Sequence, residues 1–384
     1  VTSSWATNTI GQIIQISQIV NNKIQLNSPL RMDFDLSRNP FIKKLIPINN
    51  VGIECLKIER IDNTAPQHFS NIHLYYATNS WISGIESKNC TYSHIEAEFS
   101  SNLSVSKCYF HHGFEYGSGG RAYGVMLHNT TNECLVEDNI FEHLRHSMIV
   151  QTGANGNVFA YNYSFDPFWD SPNLPSNSAG EIVLHGNYPY ANLFEHNICQ
   201  NIVIDDSHGP NGPNNTFFRN RAEGFGIFFS AANSPDQNII GNDISNTSLP
   251  YSLVNYTIQG TGHFLYGNNN KGTIDPLGTD SLPDSSYTYI LRPHFIPLSQ
   301  WVGIGTPNLM GVSTIPALDR LNSNNIFGSS CGINSTKVNN IKNSINPKFI
   351  KIVDILGRET QPQGNTQLFY IYDDGTVEKR LIIE

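Results

Sequence analysis

Charge is scarce in this chain. Only 14% of its 384 residues are Asp, Glu, Lys or Arg, against 39% apolar ones, and the formal net charge is −9. With no basic stripe to meet phosphates, a nucleic-acid partner is excluded. No apolar run is long enough to cross a bilayer, and no signal-peptide pattern opens the chain. The first residue is Val and the chain starts inside a β-type pattern, so a processed chain or fragment whose export signal has been removed is expected. The six cysteines, Cys55, Cys90, Cys108, Cys134, Cys199 and Cys331, include no CxxC pair and no zinc spacing. The first five lie in strand-like runs and read as small buried apolar residues, with Cys90 and Cys108 a candidate disulfide pair. Room for helices is lacking too. Apolar runs of three to five residues alternate with Gly and Asn turns, which argues against a helical bundle.

What is present is repetition. NECLVEDNIF, GNVFAYNYSF, ANLFEHNICQ and NNTFFRNRAE align on Asn139, Asn162, Asn197 and Asn220, spaced by 23, 35 and 23 residues. Asn242 and Asn268 follow after 22 and 26 more. A period in the low twenties with short strands and occasional long insertions is the mark of a solenoid, here a parallel β-helix in an all-β chain. Each coil has alternating residues turned into an apolar bore, and only stacking against its neighbours buries them. A recurrent Asn at one turn tolerates left-handed backbone and can bond the next Asn along the stack, so these asparagines are structural.

Eleven or twelve residues before each ladder Asn stand His128, Gln151, His185 and His208, with Ser230 on the next coil. In register they would form a polar column with members about 5 Å apart. The longest insertions, HHGFEYGSGGRAYG (His111 to Gly124) and SFDPFWDSPNLPSNSAG (Ser164 to Gly180), flank the same coils. Such insertions gather on the binding face of repeat proteins. Trp169 in the second can stack a sugar ring or tie the loop down.

Along the chain, residues 1–50 read as an N-terminal β lead-in or cap, with a hairpin about the Asn21-Asn22 turn. Residues 51–271 hold the β-helix, 272–345 a capping tail and linker rich in Pro and Ser, and 346–384 a small antiparallel β unit with DDG as its tightest turn.

In repeat period, Asn ladder and loop placement, residues from about 50 to 270 resemble the pectate-lyase-like superfamily of right-handed parallel β-helices. The resemblance implies an extracellular polysaccharide as partner, and spans lyases, glycoside hydrolases, epimerases and adhesins. At the end, KIVDILGRE (Lys351 to Glu359) and LFYIYDDGTVEKRLII (Leu368 to Ile383) resemble the C-terminal sorting domain of type IX secretion cargo in Bacteroidetes. LFYIYDDG stands where a GLYI-type run is commoner. This second resemblance implies engagement of secretion machinery and a secreted or outer-membrane surface-attached protein.

Cleaving a uronic-acid glycan by β-elimination needs a base for the proton α to the carboxyl group and a positive group on the carboxylate. His128, His185 or His208 is the candidate base, Tyr123 or Tyr188 the acid, and Arg145, Arg219 or Arg221 the carboxylate partner. The resemblance implies Ca²⁺ in that last role, and Asp205 with Asp206 are the candidate ligands. Hydrolysis would need two carboxyl groups. On a strand Asp205 and Asp206 point to opposite faces, with Asp206 outward in the parity of His208, and Glu181 could partner His185. The DD and HG pairs resemble those of polygalacturonases, without their placement on separate coils and without an NTD element. Elimination ranks first, a glycoside hydrolase second and a non-catalytic carbohydrate-binding or adhesin module third. The expected catalytic set is His128, His185, His208, Arg145, Arg219 and Asp206. Gln151, His146, Arg121, Arg221, Tyr123, Tyr188 and Trp169 are the expected substrate contacts.

Overall fold

Two corners of each coil turn by the same device: one residue in the left-handed region, then a side chain buried beneath the turn. In the computed structural model the left-handed residues at one corner are Asp138, Tyr161, His196 and Arg219, with φ of 55°, 56°, 53° and 51°. The ladder residues Asn139, Asn162, Asn197 and Asn220 come directly after them and are fully buried. The left-handed backbone expected of the Asn therefore falls one position earlier. The Asn is there for its amide.

The structure describes residues 1–384 apart from 65, 67, 253–255, 297–300, 307–312, 328–330, 332–347, 355–357, 363–366, 374–376 and 382–384. Each coil lays down three strands, exemplified by Leu135–Glu137 on a first face, Ile140–Glu142 on a second and His146–Val150 on a third. Each pairs in parallel with its equivalents one coil away on either side. Among the described residues the first face runs through nine strands, from Gly52–Glu54 to Phe264–Tyr266. Ile198–Asp205 and Arg221–Phe229 run unbroken round the corner and serve both other faces. The molecule is a parallel β-helix.

Period-2 alternation fills the bore. The central residues of successive first-face strands, Phe159, Phe194 and Phe217, stack with ring centroids 5.0 and 5.2 Å apart. From the third face Val125, Met148, Ile182 and Ile202 point inward as one row, and Leu127, Val150, Leu184 and Ile204 as another. Burying one such side chain contributes roughly 1.5–3 kcal/mol, and only a stacked neighbour supplies the burial.

The ladder satisfies the corner completely. Asn162 Oδ1 accepts from the backbone N and from Nδ2 of Asn139, both at 3.0 Å. Its own Nδ2 donates to Val136 O and to Asn197 Oδ1, both at 2.9 Å. The chain of amides continues through Asn220 and Asn242 to Asn268. A second ladder stands at the next corner, where Asn157 donates to Asn192, Asn192 to Asn215 and Asn215 to Gln237. Its members follow Gly156, Ala191, Asn214 and Asp236, again left-handed.

The N-terminal stretch, and described residues between 282 and 322 after the coils, pack along the sides of the coils. Ile16–Val20 and Lys23–Leu26 form the expected hairpin, with Asn21 and Asn22 at φ of 48° and 60°. Residues 1–13 run as a strap past the corner between third and first faces: Thr2 N bonds Asn187 Oδ1, Thr130 Oγ1 bonds Thr9 O and Asn132 Nδ2 bonds Ile13 O. After the coils, Ile296, Val302, Ile304 and the helix Pro316–Asn322 pack against Ile140, Tyr161 and Ile198. Cys55, expected to be a buried apolar residue, is exposed and forms a disulfide with Cys331, 276 residues away. Cys90 and Cys108, the candidate pair, are both free and buried. Residues 332–384 form a separate unit. Its described strands, Phe349–Val353, Gln367–Tyr372 and Val377–Leu381, make an antiparallel sheet; most of the DDG turn lies outside the described residues.

Asn197→Ala would take the side-chain partner from Asn162 N and cost Asn162 Nδ2, Phe159 O and Asn220 Oδ1 one hydrogen bond each. It is expected to lower the unfolding free energy by at least about 2 kcal/mol, read from the urea midpoint.

Candidate functional site

The third face presents its outward residues between two walls. Both long insertions connect the second face to the third, so they stand along one edge, and the N-terminal strap stands along the other. Between them Met126, Ile149, Val183 and Val203 form an apolar stripe that packs with Tyr92 and Tyr123.

Register sets the polar row beside that stripe. Leu127, Val150, Leu184, Ile204 and Phe229 are paired in sequence, so His128, Gln151, His185, Asp205 and Ser230, one residue further on, share a row. The expected column therefore holds for His128, Gln151 and His185, but Asp205 takes the place assigned to His208. The reason is coil length. Asp205 lies 15 residues before its ladder Asn220, whereas His185 lies 12 before Asn197, so three extra residues at the corner carry His208 past the strand. It returns to the site through space, its ring edge-on to His185 at 4.8 Å between centroids.

His185 and Asp205 form a tight pair. His185 Nδ1 lies 2.7 Å from Asp205 Oδ2. Ser207 Oγ and N also donate to Asp205, at 2.8 and 2.9 Å, and Ser230 Oγ lies 3.4 Å from Oδ1. Burial opposes charge on Asp205, yet the His185 and Ser207 bonds hold its carboxyl well below the usual carboxylate range. An ionised carboxylate only accepts, so Nδ1 carries the shared proton and Nε2 of a neutral ring is left with its lone pair. Among the described residues Nε2 has no hydrogen-bond partner, and His185 is 7% exposed.

Around this pair the structure gathers several of the expected residues. The Tyr123 ring lies 6.5 Å and the His146 ring 5.5 Å from that of His185. Burial raises the Tyr123 pKa and keeps the phenol protonated. His146 bonds Gly180 O through Nδ1 at 2.6 Å; burial and the Arg145 charge push its pKa well down. Burial and the neighbouring His185 lower that of His208. Arg145 lies between the Tyr123 and Trp169 rings, with Nη1 3.0 Å from Gly117 O and 3.5 Å from Tyr123 Oη. Its Nε is buried without a hydrogen-bond partner among the described residues. Trp169 so ties its loop down onto Arg145, and Gln151 braces the row by donating to His185 O at 3.0 Å.

Other expected members lie elsewhere. Arg219 donates to the carbonyls of Leu282, Asp284, Ile304 and Thr306, clamping the C-terminal tail at a different corner. Arg221 pairs with Asp243 on the second face and bonds Ser313 O. Arg121 pairs with Glu115 in the first insertion, beside an open depression of about 490 Å³ between the two loops, away from His185. Tyr188 packs against Gly212 and Tyr190 at the strap corner. Asp206 is past the strand end and bonded to Ser230, so the outward carboxylate is Asp205. Glu181 is no partner of His185. It accepts from Ser164, Gln200 and Asn201 in a buried position that raises its pKa to about 7. The Asp205 oxygens are engaged by His185, Ser207 and Ser230, and Asp206 Oδ1 by Ser230.

His128 belongs to a second cluster with Glu96 and Glu98, two coils from His185, about 10 Å by strand spacing. Neither glutamate falls in the register counted from the ladder Asn, although the alternation in SHIEAEF turns both outward. The second ladder, outside the expected set, is legible as an Asn five residues before Asn162, Asn197 and Asn220.

Compared with known proteins, the chain matches no family model, no curated sequence and no solved structure. The class of the protein is therefore defined by its own geometry, a parallel β-helix with a His-Asp pair on one outer face. No helix among the described residues is long and apolar enough to cross a membrane.

The lowered Asp205 pKa gives the pair a pH signature. Its stabilising contribution is complete above the unfolded value, about 3.9, and is lost as pH falls through the lower folded value. The stability gap between wild type and Asp205→Asn, from denaturant midpoints, is expected to be full at pH 6 and to shrink below about pH 4.

Proposed function

We propose that the groove on the third face cleaves a uronic-acid-containing polysaccharide by β-elimination, outside the cell. The observation that carries this reading is the His185–Asp205 pair, with the Tyr123 ring 6.5 Å from that of His185. His185 Nε2 takes the proton α to the uronate carboxyl group. The electron pair forms a carbon–carbon double bond, the glycosidic carbon–oxygen bond at the β position breaks, and the Tyr123 phenol protonates the leaving oxygen. Arg145 meets the carboxylate and stabilises the charge that develops on it. Asp205 holds the imidazole in the tautomer that leaves Nε2 basic.

Hydrolysis is the weaker reading, because Asp205 is committed to His185 and Asp206 to Ser230. Likeness in repeat period and loop placement to the pectate-lyase-like superfamily supports the polysaccharide as substrate. The C-terminal likeness to type IX sorting domains supports export and a secreted or surface-attached location.

Incubation with a panel of uronic-acid polysaccharides is expected to raise ultraviolet absorbance as unsaturated ends form. His185→Ala is expected to lower that rate at least about 100-fold with the fold intact. No absorbance rise and no reducing ends across the panel would sink the enzyme reading and leave a carbohydrate-binding surface module.

A further inference from the structure

We propose that His73, Glu96 and Glu98, with His128 beside them, bind one divalent first-row transition-metal ion on the third face. The placement follows from register. Ser93–Glu98 points Ile95 and Ala97 into the bore, so Glu96 and Glu98 face outward on one strand. The coil before sets His73 opposite Glu96, and the coil after sets His128 opposite Glu98.

The ligand atoms converge. One atom from each of His73, Glu96 and Glu98 lies within 4.8 Å of the other two. His73 Nε2 is 3.1 Å from Glu98 Oε1, and His128 Nε2 is 3.1 Å from Glu96 Oε1 and 3.7 Å from Glu98 Oε1. Ligands about 2.1 Å from a common ion sit roughly 3–4 Å from one another, so only a small inward shift is needed.

An outer layer of hydrogen bonds aims the carboxylates. Ser70 Oγ donates to Glu96 Oε2 at 2.6 Å and Asn129 Nδ2 donates to Glu98 Oε2 at 2.7 Å. Both Oε1 atoms are left for the histidines, the arrangement that orients metal ligands. Charge points the same way. Two carboxylates side by side on one strand, one of them only 4% exposed, face two imidazoles rather than a Lys or Arg. Mixed imidazole and carboxylate donors without thiolate favour Zn²⁺, Mn²⁺ or Fe²⁺ over the all-oxygen shells of Ca²⁺ and Mg²⁺. The His73 side chain is 42% exposed, so positions on that side of the ion would stay open to solvent. This site is independent of the elimination chemistry proposed for His185.

The full chain, stripped with a chelator and titrated with Zn²⁺ by calorimetry, is expected to take up one equivalent at micromolar or lower dissociation constant. His73→Ala, at an exposed position that the fold tolerates, is expected to weaken binding at least tenfold, and Glu98→Gln likewise. His185→Ala is expected to leave the isotherm unchanged. Absence of a stoichiometric equivalent in the wild type, or an isotherm untouched by both His73→Ala and Glu98→Gln, overturns the assignment.

Discussion

Corner hydrogen bonding is the constraint on which everything else in the coils depends. A left-handed residue turns the chain, and the next side chain must reach the neighbouring coil to satisfy the groups that the turn leaves unpaired. Asn does this with one acceptor and two donors, all used. Because the internal ladder members Asn162, Asn197, Asn220 and Asn242 each receive from one coil and give to the next, register cannot slip at that corner without unpairing buried amides. Locked corners fix the strands between them, and locked strands fix which side chains face out.

That locking makes the third face a place where chemistry can be assembled from separate coils. Parallel pairing puts equivalent residues about 5 Å apart, close enough for a carboxylate on one coil to hold an imidazole on the next. His185 with Asp205 and His128 with Glu96 are both built this way, from neighbouring strands in a rigid stack. Neither pair needs a loop to position it. The loops and the N-terminal strap instead raise the walls, and Trp169 against Arg145 anchors one of them. On the other faces the buried Arg219 and Arg221 are spent on backbone carbonyls and a buried carboxylate, which holds the following tail on the coils.

Much of this architecture is written locally. The period, the first ladder, the Asn21-Asn22 hairpin and the rising of both insertions from one edge of the coils are legible because turn chemistry and period-2 alternation repeat along the chain. The outward row of His128, Gln151 and His185 is legible for the same reason. The disulfide was not, since Cys55 and Cys331 are 276 residues apart and nothing in either segment names the other.

Local pattern by itself determined the solenoid, its corner asparagines and the face on which to look for a site. Tertiary structure alone decided which charge meets which. Three residues added at one corner moved His208 out of the row and brought Asp205 to His185, while Glu181 and Arg219 turned away to other partners. Counting along a chain finds the residues that recur once per coil. Only the stacked coils, whose corners differ in length, bring together the side chains that act.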